Sequence, residues 1–167
     1  MKYSGLARSS GALVFTFIAL LFLVKPAAAS LQMPSFTLPD VVTGKSVSSS
    51  QFAGKTLLIT FFATWCPPCM QEVPELISLQ EQYADKGFSV VALSVDQGGA
   101  GVVKKLVEQR SINYPVLMAN GDVARNFGGV VGIPTSFLVN SKGHVVKKYP
   151  GYIPHVILER DIKSVMN

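Results

Sequence analysis

Thr56-Leu57-Leu58-Ile59-Thr60-Phe61-Phe62-Ala63-Thr64-Trp65-Cys66-Pro67-Pro68-Cys69 decides the fold of this chain and most of its chemistry. The first seven residues carry no charge and are rich in β-branched and aromatic side chains, so they read as a buried strand. After Cys69, apolar residues at Met70, Val73, Leu76, Ile77 and Leu79 fit one face of a helix. That helix is expected over about residues 67–84, stopped by Lys86-Gly87. Pro67 and Pro68 suit a first helical turn, where a missing N–H costs nothing. Cys66 then stands at the helix N-terminus, where unpaired N–H groups and the helix dipole favour an anion. Thiols so placed in Cys-x-x-Cys pairs titrate at roughly 3.5–7.5, against about 8.5 for a free cysteine. A strand-to-helix dithiol of this kind is a redox centre.

These are the only two cysteines, so every thiol the chain can use sits at one point. A structural bridge stabilises by closing a long loop, and one that spans two intervening residues removes little chain entropy. Zinc takes about four ligands, whereas the only histidines, His144 and His155, lie far downstream without paired spacing. No metal site and no cofactor beyond the Cys66–Cys69 disulfide are therefore expected. Two thiolates can bind copper, which leaves a copper or haem chaperone-type binding module as the alternative reading. A thiol peroxidase would show Pro-x-x-x-Thr-x-x-Cys, but Thr64 lies two before Cys66 and Ile59 stands where the proline would be.

Residues 1–29 read as a secretory signal peptide. Lys2 and Arg8 make a basic start, residues 13–24 are apolar, and Ala27-Ala28-Ala29 supplies a cleavage pattern before Ser30. The apolar run falls short of the roughly 20 residues a membrane-crossing helix needs, so cleavage is expected in preference to an uncleaved anchor. Export to a bacterial periplasm is the resulting expectation. Loss of Lys2, Arg8 and Lys25 takes the formal charge from +5 to +2. With no basic stripe interleaved with aromatics, nucleic acid is not an expected partner. Residues 30–167 then form one domain, enough for a single core.

Along that domain, residues 36–38 and 46–48 are expected to form an N-terminal hairpin across a turn at residues 43–45. Residues 88–95 make a second core strand, parallel to the first through a right-handed crossover. Next come an amphipathic helix at 102–109, a short extra strand at 112–117 and a short helix at 121–128. Gly132-Ile133-Pro134-Thr135 leads into a strand at 136–139, a turn at 140–143, a partner strand at 144–149 and a last helix from about Pro154.

Together these pieces resemble the thioredoxin superfamily, and within it the TlpA/ResA-like thiol-disulfide oxidoreductases. The resemblance rests on Leu38-Pro39-Asp40 with Gly44, Gly54-Lys55, Trp65-Cys66-Pro67-Pro68-Cys69, Gly132-Ile133-Pro134-Thr135 and the Lys142-Gly143 turn. It implies an α/β thioredoxin-like fold: a central mixed sheet flanked by helices, with the N-terminal hairpin and a family-type insertion between Val95 and Gly128. It also implies that Cys66 is the exposed attacking thiol and Cys69 the buried resolving thiol. Pro134 is similar to the family's cis-proline, leaving the Ile133 backbone to pair with an extended substrate chain. Trp65 and Pro67 would flank the partner groove, although a buried tryptophan can equally be core filler.

Family members often carry an acid at the position of Glu72. A carboxylate there would raise the cysteine pKa values by like-charge repulsion and relay a proton; otherwise it is a solvated helix glutamate. Thioredoxin itself buries an aspartate where Thr60 stands and a lysine where Ala92 stands. Their absence favours the TlpA/ResA-like branch. The implied activity is reduction of partner protein disulfides by a monomer resupplied by a membrane-embedded thiol donor. Apocytochrome c and other exported proteins are the implied substrates.

Overall fold

The computed structural model describes residues 31–166, so the expected leader lies outside the described residues. The elements run β1 (Leu31–Gln32), β2 (Thr37–Pro39), β3 (Ser46–Ser48), β4 (Thr56–Phe62), α1 (Pro67–Tyr83), β5 (Phe88–Ser94), α2 (Ala100–Arg110), β6 (Val116–Met118), α3 (Gly121–Asn126), β7 (Thr135–Val139), β8 (His144–Pro150) and α4 (His155–Met166). Six strands form one mixed sheet in the order β1-β8-β7-β4-β5-β6. β4, β5 and β6 are parallel, while β7, β8 and β1 pair antiparallel. This is the thioredoxin-like α/β architecture that the resemblance implies.

β4 and β5 are buried along their whole length, as their uncharged sequences require. Alternation then sorts the side chains of β4 onto two faces. Leu58 and Phe62 pack with Leu76 and Leu79 of α1 and with Leu158 and Ile162 of α4. Leu57, Ile59 and Phe61 pack on the other face with Phe36 and Leu38, Val123 of α3, Phe127 and Phe137. Thr60, two residues before the strand ends, is a polar residue that β4 sends to the α1 face.

The N-terminal hairpin forms as expected, β2 against β3, and lies on the edge of the sheet through a bridge from Asp40 to Leu117 and a bond from Val41 N–H to the Val116 carbonyl. Two local readings change. The extra strand is only Val116–Met118, because the segment before it crosses from α2 to the sheet as loop. β1 has no counterpart in the sequence reading: its two residues pair with His144 and Val145 at the opposite edge, too short to leave a periodic signal. α1 stays continuous past Pro74, which supplies no N–H to the carbonyl four residues earlier. The chain then reverses at Gly87, whose φ of +82° is open to glycine at little cost.

α4 is fastened to β8 through Asp161. Its carboxylate accepts the Tyr149 hydroxyl at 2.9 Å and the Lys147 ammonium, and the Arg160 guanidinium at 2.9 Å and 3.0 Å. Burial on its own would raise this carboxyl's pKa, but the Lys147, Arg160 and Tyr149 hydrogen bonds together hold it down to about 2.

Candidate functional site: a disulfide at the head of α1

The sheet order brings the carboxyl ends of β4 and β5 side by side, and the site is built from the chain that leaves each of them. Cys66 is the N-cap of α1, in extended backbone, and its sulfur accepts the Cys69 N–H at 3.3 Å. Pro67 and Pro68 occupy the first turn, as expected. Cys66 and Cys69 are joined, with S–S 2.07 Å and Cα atoms 5.2 Å apart. The sulfur that caps the helix is therefore held where amide dipoles stabilise negative charge.

The expectation of an exposed first thiol needs correction for this oxidised form. Cys66 is 3% exposed and Cys69 2%. Capping turns the Cys66 sulfur in toward the helix, and its accessible neighbours are Trp65 and Pro67. Trp65 is 65% exposed, which removes the core-filler reading and leaves the indole on the surface beside the pair.

Glu72 is not a solvated helix glutamate. It is 4% exposed, and its Oε1 accepts the Ile153 N–H at 2.9 Å. Thr60, Phe62, Cys69, Glu72, Ala92 and Tyr114 enclose a cavity of about 10 Å³ beneath the resolving cysteine. Burial raises the Glu72 pKa, the Ile153 N–H opposes it, and the nearby Glu75 charge adds to the rise, giving about 7. Thr60 accepts the Ser136 hydroxyl at 2.9 Å and faces Ala92 across the β4–β5 ladder. The position under the disulfide is thus polar but holds no titratable proton of its own, and Glu72 is the acid that reaches it.

A pH test of this assignment has a fixed sign. An unfolded glutamate loses its proton near 4.5, whereas folded Glu72 keeps one up to about 7. Between those values the folded chain binds the extra proton, so this residue's contribution to stability falls as pH rises. Glu72→Gln keeps the Ile153 bond and removes the charge. Above pH 7 the variant should exceed the parent in stability by on the order of 2 kcal/mol, with the gap closing toward pH 4.5. Urea midpoints across that range measure it, and a gap independent of pH would place Glu72 in ordinary solvent.

The Ile133–Pro134 bond is cis, as the resemblance implies. The Pro134 carbonyl accepts the Gly151 N–H at 2.8 Å, and two residues on, Ile153 donates to Glu72. Gly151, at φ +87°, makes the turn that allows both. The cis-proline loop and the acid on α1 are tied by this three-residue link. No backbone hydrogen bond among the described residues engages the Ile133 N–H or carbonyl. A cleft of about 310 Å³ opens there, lined by Val131, Ile133, Pro134, Lys148 and Gly151. Among the described residues no group of three or more His, Cys, Asp or Glu side chains is gathered as metal ligands would be.

Sequence reasoning missed three participants. Ile153 and Tyr114 approach Glu72 from distant segments, and nothing in their local sequence marks them. Asp96, 7% exposed, binds the loop before Cys66: it accepts the Thr64 N–H at 2.9 Å, the Thr64 hydroxyl at 2.5 Å and the Ser94 hydroxyl at 2.8 Å. Here a signal existed. β4 and β5 pair with a constant offset, Phe62 opposite Ser94, which carried two residues further sets Thr64 opposite Asp96.

Comparison with known proteins agrees with this architecture. The Redoxin family profile matches residues 28–165. The thiol-disulfide oxidoreductase ResA of Bacillus thuringiensis subsp. konkukian is 32% identical over 134 residues, 80% of this chain and 76% of that one. ResA of Halalkalibacterium halodurans is 29% identical over 166 residues, 99% of this chain and 93% of its own. A crystal structure of a thioredoxin-family thiol:disulfide interchange protein from Chlorobium tepidum TLS superimposes with TM-score 0.77 at 35% identity, covering 84% of this chain and 99% of that one. With a Cys-x-x-Cys disulfide capping the first helix of a thioredoxin-like sheet, this chain belongs to the Redoxin family and, within it, to the TlpA/ResA-like protein-disulfide oxidoreductases.

Proposed function

We propose that the protein works outside the cytoplasm as a reductant of partner disulfides, with Cys66 as nucleophile and Cys69 as resolving thiol. The observation that carries these two roles is the Cys66 sulfur accepting the Cys69 N–H at the head of α1, with protonatable Glu72 beside Cys69. The reducing direction rests on the family resemblance, with Ile133 rather than a hydroxyl residue before Pro134. In the reduced protein the Cys66 thiolate attacks one sulfur of a partner disulfide. A mixed disulfide forms and the partner's other sulfur leaves as thiolate. Glu72 takes the Cys69 proton, and the Cys69 thiolate attacks the Cys66 sulfur. The second partner sulfur is released, and two electrons have passed to the partner. The partner chain lies along the cleft at Pro134, where the unpaired Ile133 backbone offers strand-like hydrogen bonds and Trp65 and Pro67 flank it.

A membrane-embedded thiol donor restores the dithiol, and the substrates are oxidised exported proteins, apocytochrome c among them. The periplasm as site of action rests on the leader-like residues 1–29. No cofactor beyond the disulfide is required, and the working unit is a monomer.

The reduction potential against glutathione or dithiothreitol tests the direction. A value more negative than about −220 mV is expected, and one near −120 mV would make the protein an oxidant.

A further inference from the structure

Asp96 is a buried carboxylate that the exchange chemistry does not use. No lysine or arginine forms an ion pair with it among the described residues. Its negative charge is met instead by three donors, two of them from Thr64. Ser94 completes the arrangement, since its hydroxyl also accepts the Asp96 N–H at 3.1 Å. The backbone ladder between β4 and β5 ends where the Val95 N–H donates to the Phe62 carbonyl. The Asp96 side chain continues that register past the last strand residues, and Thr64 is the loop residue it grips.

Thr64 leads directly into Trp65 and Cys66. Two residues of chain span at most about 7 Å, so the carboxylate lies within about 10 Å of the Cys66 backbone. Both ends are buried, Asp96 at 7% and Cys66 at 3% exposure, so the charge is screened less than one at the surface. A fixed negative charge at that range disfavours the Cys66 thiolate, and so disfavours the dithiol relative to the disulfide. The helix head acts in the opposite sense.

We infer that Asp96 is a positioning residue that fixes the Thr64–Cys66 segment and sets the redox poise of the pair toward the reducing side. Its balance with the α1 amides determines how readily the disulfide opens.

The test is exchange with glutathione, in which the Cys66–Cys69 disulfide plus two glutathione thiols gives the dithiol plus glutathione disulfide. Asp96→Asn removes the charge and should move this equilibrium three- to tenfold toward the dithiol, about 15–30 mV. Thr64→Val keeps the charge and strips one donor from it, and should move the equilibrium the opposite way. Thr64→Ser keeps both donors and should match the parent. A general loosening of the loop would push both changes in one direction. Shifts of the same sign, or no shift in either, would overturn the inference. If Asp96→Asn fails to fold, the sign of the Thr64→Val shift decides. The parent's absolute potential tests the proposed direction separately, because the inference concerns only differences from it.

Discussion

Cys69→Ser should arrest the reaction halfway and leave the partner bound to Cys66. The serine hydroxyl cannot displace a thiol at neutral pH, while the Cys66 sulfur still caps α1 and still attacks. Turnover in a disulfide-reduction assay should drop by on the order of 10³-fold or more, and a reducible adduct should accumulate to about one partner per chain. Cys66→Ser should lose turnover equally and form no adduct. The contrast between the two carries the assignment, since loss of activity alone would result from any damage to the site. An adduct that forms through Cys69 in the Cys66→Ser protein would exchange the two roles.

Phe61→Ala should produce the largest loss of stability. The ring is fully buried on the face of β4 away from α1, edge-on to Phe127 at 5.4 Å and to Phe137 at 6.1 Å. Removing it leaves a cavity walled by two aromatic rings that are anchored on different segments and cannot both close in. The expected cost is about 3–5 kcal/mol, a fall in melting temperature of about 10–20 °C for a domain of this size. Below the new melting point the exchange equilibrium should be little changed, because Phe61 faces away from the disulfide. A cost below about 1.5 kcal/mol would mean that the three-ring cluster relaxes freely and does not anchor the strand that carries the site.

The parts of this protein that are legible in its sequence are those governed by short-range rules. β4 and β5 are uncharged and buried throughout, so their extent can be read almost to the residue. The cysteine pair announces its own geometry through its prolines and the helical spacing after it. Glu72 shows where reading stops. Its helix position places it toward the pair, but whether it is solvated depends on Ile153, Tyr114 and Glu75 closing round it. Cys66 teaches the reverse lesson: its place at a helix head is plain from local pattern, whereas the exposure that the resemblance implies is not found in the disulfide form, where the sulfur caps α1. β1 and Asp96 become visible only through strand pairing, a property that belongs to two segments at once.

The two rims of the sheet have a consequence for how the molecule meets other chains. β6 is three residues long and covered by the N-terminal hairpin, and β1 shields only the start of β8. The remainder of β8 carries exposed Lys147 and Lys148 and ends at Pro150, with an irregular register against β7. Lysines, a proline and interrupted register each discourage a stray strand from joining an edge. On the proposed function, in which extended cysteine-bearing chains lie at Ile133, these edges keep the protein from recruiting its partners, or copies of itself, into a growing sheet. Partner binding would then add backbone hydrogen bonds at the Ile133 loop and none along the β8 edge.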